Sequence, residues 1–323
     1  MKGKYHVIVQ NNRIKFEFDI KRNITIIRGD SATGKTTLFN MINTYQRQGE
    51  DSGISISCSQ KCVTLDNSNW ESVIRDYSKT IVFIDEETSI IKTAEFAKAV
   101  KGSDNYYVII TREDLPNLPY AVDEVYGIHT SGKYAGLKQT YNSFYRLYNV
   151  DNKSVEQLAD TIVVEDANSG FEFYNAIKND NVKCISAGGK SNIKALAEKI
   201  GQNERTLIIA DGAAFGPEMG DVYRIVQNNS KVSIYLPESF EWVILSSGLI
   251  DGNRIKEILE HTEDYADSTE YFSWEQFYTK LLIEETEDTH LHYSKSKLNE
   301  VFLNRKERET IIEVLVLISR QIM

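Results

Sequence analysis

The segment Gly29-Asp30-Ser31-Ala32-Thr33-Gly34-Lys35-Thr36 constrains this chain more than any other. It fits the spacing G-x-x-x-x-G-K-[ST], in which glycines let successive backbone N–H groups turn inward around phosphate oxygens. The flanks are those such a loop needs. Ile24-Thr25-Ile26-Ile27 reads as a buried strand leading in, and Thr36-Thr37-Leu38-Phe39-Asn40-Met41-Ile42 as a helix leading out. The helix N-terminus adds a favourable dipole for anions. On this reading Gly29 through Thr37 hold a nucleotide, Lys35 reaches the β- and γ-phosphates, and the Thr36 hydroxyl is a ligand of Mg²⁺.

A second apolar run, Ile81-Val82-Phe83-Ile84, ends in Asp85-Glu86. After a phosphate-binding loop, such a core strand delivers carboxylates to its C-terminal end. Asp85 is expected to hold the nucleotide's Mg²⁺, and Glu86 to polarise the attacking water as a general base. A third strand, Tyr106-Tyr107-Val108-Ile109-Ile110, runs into Thr111-Arg112. Arg112 is either a sensor of the γ-phosphate or an ordinary surface arginine. No N-K-x-D element is present, since Asn152-Lys153-Ser154-Val155 lacks the Asp that reads guanine, so ATP is expected rather than GTP.

At 323 residues the chain is long enough for two domains, and 41% hydrophobic residues supply real cores. No run is long enough to span a membrane, and the N-terminus is not patterned as a signal peptide. Cys58, Cys62 and Cys184 do not make a disulfide framework, so the cytoplasm is the expected compartment. Charge is unevenly divided. Residues 1–150 carry 19 Lys and Arg against 17 Asp and Glu, a net +2. Residues 151–323 carry 18 against 30, a net −12. The second half is therefore not a broad cationic nucleic-acid binder. A local strip of Lys295, Lys297, Arg305, Lys306 and Arg308 is either a nucleic-acid contact or a solvated helix face.

The second half alternates strand and helix. Strands are expected at Thr161–Val164, Val182–Ser186, Thr206–Ala210 and Val232–Leu236. A helix is expected from Phe171 to Lys178, and another, capped by Ser191, from Asn192 to Ile200. Such alternation implies a parallel sheet covered on both faces. Function gathers at the carboxyl ends of such strands, where Glu165, Asp211 and Glu238 or Glu241 fall. Converging acids repel unless a divalent cation neutralises them, so these are either an Mg²⁺ or Mn²⁺ site or ordinary turn acids.

Two resemblances follow from these motifs. A hairpin of Tyr5–Val9 and Ile14–Phe18 before the phosphate-binding loop resembles ABC-type ATPases. The chain departs from them in lacking an L-S-G-G-Q signature, which puts a self-sufficient ATP-sandwich dimer in doubt. Val164-Glu165, Ser186-Ala187-Gly188-Gly189-Lys190-Ser191-Asn192-Ile193 and Ile209-Ala210-Asp211-Gly212-Ala213 together resemble the Toprim domain of topoisomerases, bacterial primases and OLD-family nucleases. That resemblance covers residues 160–250. It implies Glu165 as acid/base and metal ligand, Asp211 as the main ligand, and phosphodiester chemistry with Mg²⁺ or Mn²⁺. The family's Asp-x-Asp reads Asp211-Gly212-Ala213 here, so Glu241 (or Glu238) has to supply the missing carboxylate.

The expected architecture is α/β. An ABC-like P-loop ATPase domain with a hairpin-augmented sheet (1–150) precedes a Toprim-like parallel domain (151–250) and a helical C-terminal extension (251–323). Within the extension, Ser273-Trp274-Glu275-Gln276 opens a helix and residues 311–318 form an apolar last one. The resemblances imply an ATP-binding and hydrolysing, metal-dependent nuclease acting on nucleic acid in bacterial anti-phage or mobile-element defence. The alternative is an ATP-gated sensor or assembly subunit, homo-oligomeric or paired with an effector protein, whose Toprim-like half is catalytically silent.

Overall fold

In the computed structural model the apolar runs become strands of two sheets; residues 1–29, 34–131, 139–150, 158–250 and 252–323 are described, without the side chains of 316 and 317. Asp30, Ser31, Ala32 and Thr33 of the phosphate-binding segment lie outside the described residues, as does Asn152-Lys153-Ser154-Val155.

The nine strands of the first sheet are β1 (Tyr5–Gln10), β2 (Ile14–Ile20), β3 (Ile24–Ile27), β4 (Ser55–Ser57), β5 (Lys61–Leu65), β6 (Thr80–Ile84), β7 (Tyr106–Ile110), β8 (Val125–Ser131) and β9 (Thr140–Arg146), in spatial order β4-β1-β2-β9-β8-β3-β7-β6-β5. β1 and β2 form the expected antiparallel hairpin, with Asn11 Oδ1 accepting the Arg13 and Ile14 N–H groups in the turn. Alternation places Val7, Val9, Phe16, Phe18 and Ile20 in the core, where Phe18 stacks on Phe144 at 4.1 Å between ring centres. β3, β7, β6 and β5 are parallel, and the inner strands β3, β7 and β6 are buried along their whole length, as strands covered on two sides must be. Their helices are α1 (Lys35–Gln48), α2 (Trp70–Asp76) and α3 (Ala94–Lys101).

The second sheet is four-stranded and wholly parallel: β10 (Thr161–Val164), β11 (Lys183–Ser186), β12 (Thr206–Ile209) and β13 (Val232–Tyr235), in order β11-β10-β12-β13. Its connections carry α4 (Ser169–Ile177), α5 (Ile193–Gly201) and α6 (Gly216–Asn228). Ser191 does not cap α5; a short 3₁₀ turn over Lys190–Asn192 leads into it, with no side-chain cap bond. After β13 come α7 (Phe240–Ser246), α8 (Asn253–Glu260), α9 (Thr262–Tyr265), α10 (Trp274–Thr286), α11 (Arg305–Val314) and α12 (Val316–Ile322). The expected single last helix is thus two, parted at Leu315.

The chain divides into two compact units, Met1–Tyr148 with His261–Ser273, and Asn149–Glu260 with Trp274–Met323. The region after residue 250, expected as an extension of its own, is shared between them. Residues 261–273 belong to the first unit through Glu263 O, which accepts from Gly3 N at 2.6 Å, and Phe272 O, which accepts from Asn23 Nδ2 at 2.9 Å.

Candidate functional sites

In the first unit, β3, β7 and β6 end within one residue of one another: Ile27 pairs Ile110, and Ile84 pairs Ile109. The residues following these strands therefore meet at one sheet edge. Gly34 caps α1 at φ 92°, a conformation glycine adopts without strain, and the Phe16 ring lies 3.4 Å from where a Cβ would sit. Lys35, 5% exposed, donates from Nζ to Gly29 O at 2.7 Å, so the loop's own carbonyl holds the ammonium. Thr36 is exposed and Thr37 half-buried at the start of α1.

Asp85 is half-buried, and its Oδ1 is buried without a hydrogen-bond partner. Burial raises its carboxyl above the usual range, as do Glu86 and Glu87, while the Glu86 N–H and Lys35 pull it down. An orphaned anionic acceptor beside Lys35 fits the Mg²⁺ of a bound nucleotide. Glu86 is gripped by Arg112, with Nε 3.1 Å from Oε2 and Nη2 3.3 Å from Oε1. Neither sequence reading of Arg112 anticipates this clasp. Arg28, only 7% exposed, also escaped the sequence reading. It binds Tyr148 Oη, Tyr120 Oη, Glu113 O and Asp114, fixing the loop that carries Arg112. No local signal marks it, because all its partners are distant in sequence.

In the second unit the chain passes from β10 to β11 on one side, then crosses to β12 on the other. The crevice between β10 and β12 is a topological switch point, where ligands of open parallel sheets bind. Glu165 and Asp211 follow these two strands, and the Asp211 N–H donates to Glu165 Oε2 at 3.0 Å. Gly189, at φ 123°, brings its N–H to Glu165 O at 3.0 Å, a second use of glycine at this edge. Burial pushes both carboxyls upward, and other nearby acids add to it: Glu275 on both, with Glu165 and Glu241 also acting on Asp211.

Glu241, 2% exposed in the first turn of α7, joins them, but it is already engaged. Its Oε1 accepts from Tyr293 Oη at 2.8 Å and lies 3.9 Å from Lys295 Nζ. Lys295 Nζ is also 2.5 Å from Glu275 Oε1. Burial alone would lower the Lys295 pKa; Glu241 and Glu275 outweigh it and raise it. Ala213, where the resemblance calls for a second Asp, is 2% exposed, and its N–H donates to Glu238 O at 3.1 Å. Among the described residues no group of three or more His, Cys, Asp or Glu side chains is placed to hold a metal ion. The Glu165, Asp211 and Glu241 set therefore does not fit a divalent cation as arranged, and Glu241 already faces the Lys295 ammonium.

Lys295 was read as part of a basic strip; it faces acids, and Arg305 is paired with Glu309. Lys295, Tyr293 and Glu275 had no sequence signal as site residues, since nothing local links them to β10 or β12. No protein-family model and no curated protein matches the chain. Among the described residues no helix is long and apolar enough to cross a membrane.

Proposed function

We propose that this protein is an ATP-binding, Mg²⁺-dependent nucleotide switch whose Toprim-like unit does not itself cut nucleic acid, and which acts through assembly or a partner effector. One observation carries the reading. The first unit aims an orphaned carboxylate oxygen of Asp85 and the Lys35 ammonium at one sheet edge, whereas in the second unit Glu241 and Glu275 already face the Lys295 ammonium.

In the first unit Lys35 would exchange Gly29 O for the β- and γ-phosphates, and Thr36 and Asp85 would hold the nucleotide's Mg²⁺. The ion supplies charge neutralisation on the phosphate oxygens. Glu86 orients and deprotonates water once Arg112 releases it, so the clasp keeps hydrolysis low until the γ-phosphate draws the guanidinium away. ATP is favoured over GTP because no guanine-reading element accompanies the loop. A role in bacterial anti-phage or mobile-element defence rests on the resemblance to OLD-type proteins.

The convergence of Glu165 and Asp211 favours a second reading, a Toprim-type nuclease cutting DNA or RNA with Mg²⁺ or Mn²⁺. The purified protein separates the two. Mg²⁺-dependent ATP binding with an ATP-dependent change in mass, and no cleavage of plasmid DNA or tRNA with Mg²⁺ or Mn²⁺, supports the switch. Cleavage that Glu165→Ala removes establishes the nuclease instead.

A further inference from the structure

Two cysteines stand where the edges of the first sheet meet. β4 and β5 are the outermost of its nine strands, yet only Cys58, Ser59 and Gln60 join them. So short a connection reaches at most about 14 Å, which brings both edges to this turn. One residue of the turn holds both sulfurs. The Gln60 N–H donates to Cys58 Sγ at 3.4 Å, and the Cys62 thiol donates to Gln60 O at 3.9 Å. Both side chains pack in the same apolar cluster, where Cys62 is 9% exposed and Cys58 is half-buried. The Cys62 thiol, by hydrogen bonding, holds the Cys58 thiol below its usual range; burial opposes this, and the Gln60 and Ser59 N–H groups add to it. β5 is in turn tied to the helix that begins at Lys35, since Thr64 N and Oγ1 donate to Gln46 Oε1 of α1 at 2.7 and 3.0 Å.

We propose that Cys58 and Cys62 are a reversible thiol–disulfide pair, closed by a peroxide and reopened by a dithiol reductant. Cys58 is the attacking sulfur, because solvent reaches it and a backbone N–H stabilises its thiolate. It forms a bond to one peroxide oxygen as the O–O bond breaks, and the other oxygen leaves as hydroxide and becomes water. The product is a sulfenic acid on Cys58. Cys62, shielded from the oxidant, then attacks the Cys58 sulfur. The S–O bond breaks, the departing hydroxide takes the Cys62 proton as a second water, and the disulfide remains. The two thiols lose two electrons and two protons in all, and the peroxide is reduced to two waters. The new bond ties the two edges of the sheet at the strand that Gln46 holds to α1.

The test uses the reduced full-length protein, treated with hydrogen peroxide at pH 7, quenched with N-ethylmaleimide and mapped by mass spectrometry after tryptic digestion. Cleavage after Lys61 leaves the two cysteines on separate peptides, so the bond is read as a linked pair. Wild type is expected to yield that pair, lost again on treatment with dithiothreitol. Cys58 should be consumed about tenfold or more faster than Cys184, whose thiol burial pushes up to about 11. Cys62→Ser should stop at the sulfenic acid, captured there by dimedone, and Cys58→Ser should leave Cys62 reduced. The wild-type result decides the matter even where a variant does not fold. Oxidation of Cys58 and Cys184 at equal rates overturns the proposal. So does wild-type Cys58 that passes to sulfinic acid, or pairs with another chain, without forming the linked pair.

Discussion

Two clusters at the carboxyl ends of parallel strands do opposite things with the same ingredients. At the edge of β3, β7 and β6, Lys35 rests on a loop carbonyl and Asp85 keeps a bare oxygen. At the edge of β10 and β12, Lys295 rests on carboxylates, and Tyr293 takes up Glu241. A lysine held by a neutral carbonyl exchanges it readily for phosphate, because a charged acceptor makes the stronger hydrogen bond. A lysine held by anions has no such incentive. Strand-end acids in an α/β sheet do not by themselves define a metal site, since a lysine ammonium competes for the same carboxylates.

Changes at the first cluster are expected to have the largest effects. On the proposed nucleotide site, Lys35→Ala removes the charged phosphate contact and should weaken ATP binding by about 100-fold or more. Equilibrium titration with a fluorescent ATP analogue checks this, and unchanged affinity would remove the first cluster from the comparison. Glu86→Gln should retain nucleotide while slowing hydrolysis by roughly 10²–10⁴-fold, the range for a lost general base. Arg112→Ala, which frees Glu86 from its clasp, should raise the basal hydrolysis rate; a fall instead would assign Arg112 to the γ-phosphate.

The second cluster should answer to pH rather than to ATP. Glu165 has its folded pKa raised by burial and by neighbouring acids. Its ionisation therefore destabilises the fold, with the cost absent below the ordinary carboxyl range and fully present above the raised value. Glu165→Gln should raise the melting temperature at pH 8 by more than at pH 5. An equal shift at both values would show that the carboxylate is already compensated.

A smaller contrast separates the thiols of the two units. The Cys62 thiol holds Cys58 below the usual thiol range, whereas burial pushes Cys184 up to about 11. Iodoacetamide at pH 7 should modify Cys58 well before Cys184, read by peptide mass spectrometry. Equal rates would contradict these environments.

Much of the scaffold was legible in the residues. β6 and β7 are uniform apolar runs, β1 and β2 alternate with period two, and β10 through β13 recur at helix-length intervals. The first cluster was legible because Lys35 and its loop are contiguous, and Asp85 ends a buried strand. The second was only half legible. Glu165 and Asp211 are marked by strand ends, but Lys295 and Glu275 arrive through tertiary packing, and periodicity carries no information about which distant charge fills a crevice. The 3₁₀ turn at Lys190–Asn192 and the break at Leu315 were hidden for a related reason, since local pattern does not determine where a helix ends.

The most direct test is the number of Mn²⁺ ions bound by the wild-type chain with and without a non-hydrolysable ATP analogue. The account predicts none without nucleotide and one with it, lost in Lys35→Ala. An ion bound in the absence of nucleotide, and lost in Asp211→Asn, would contradict it and return the second unit to metal-dependent phosphodiester chemistry.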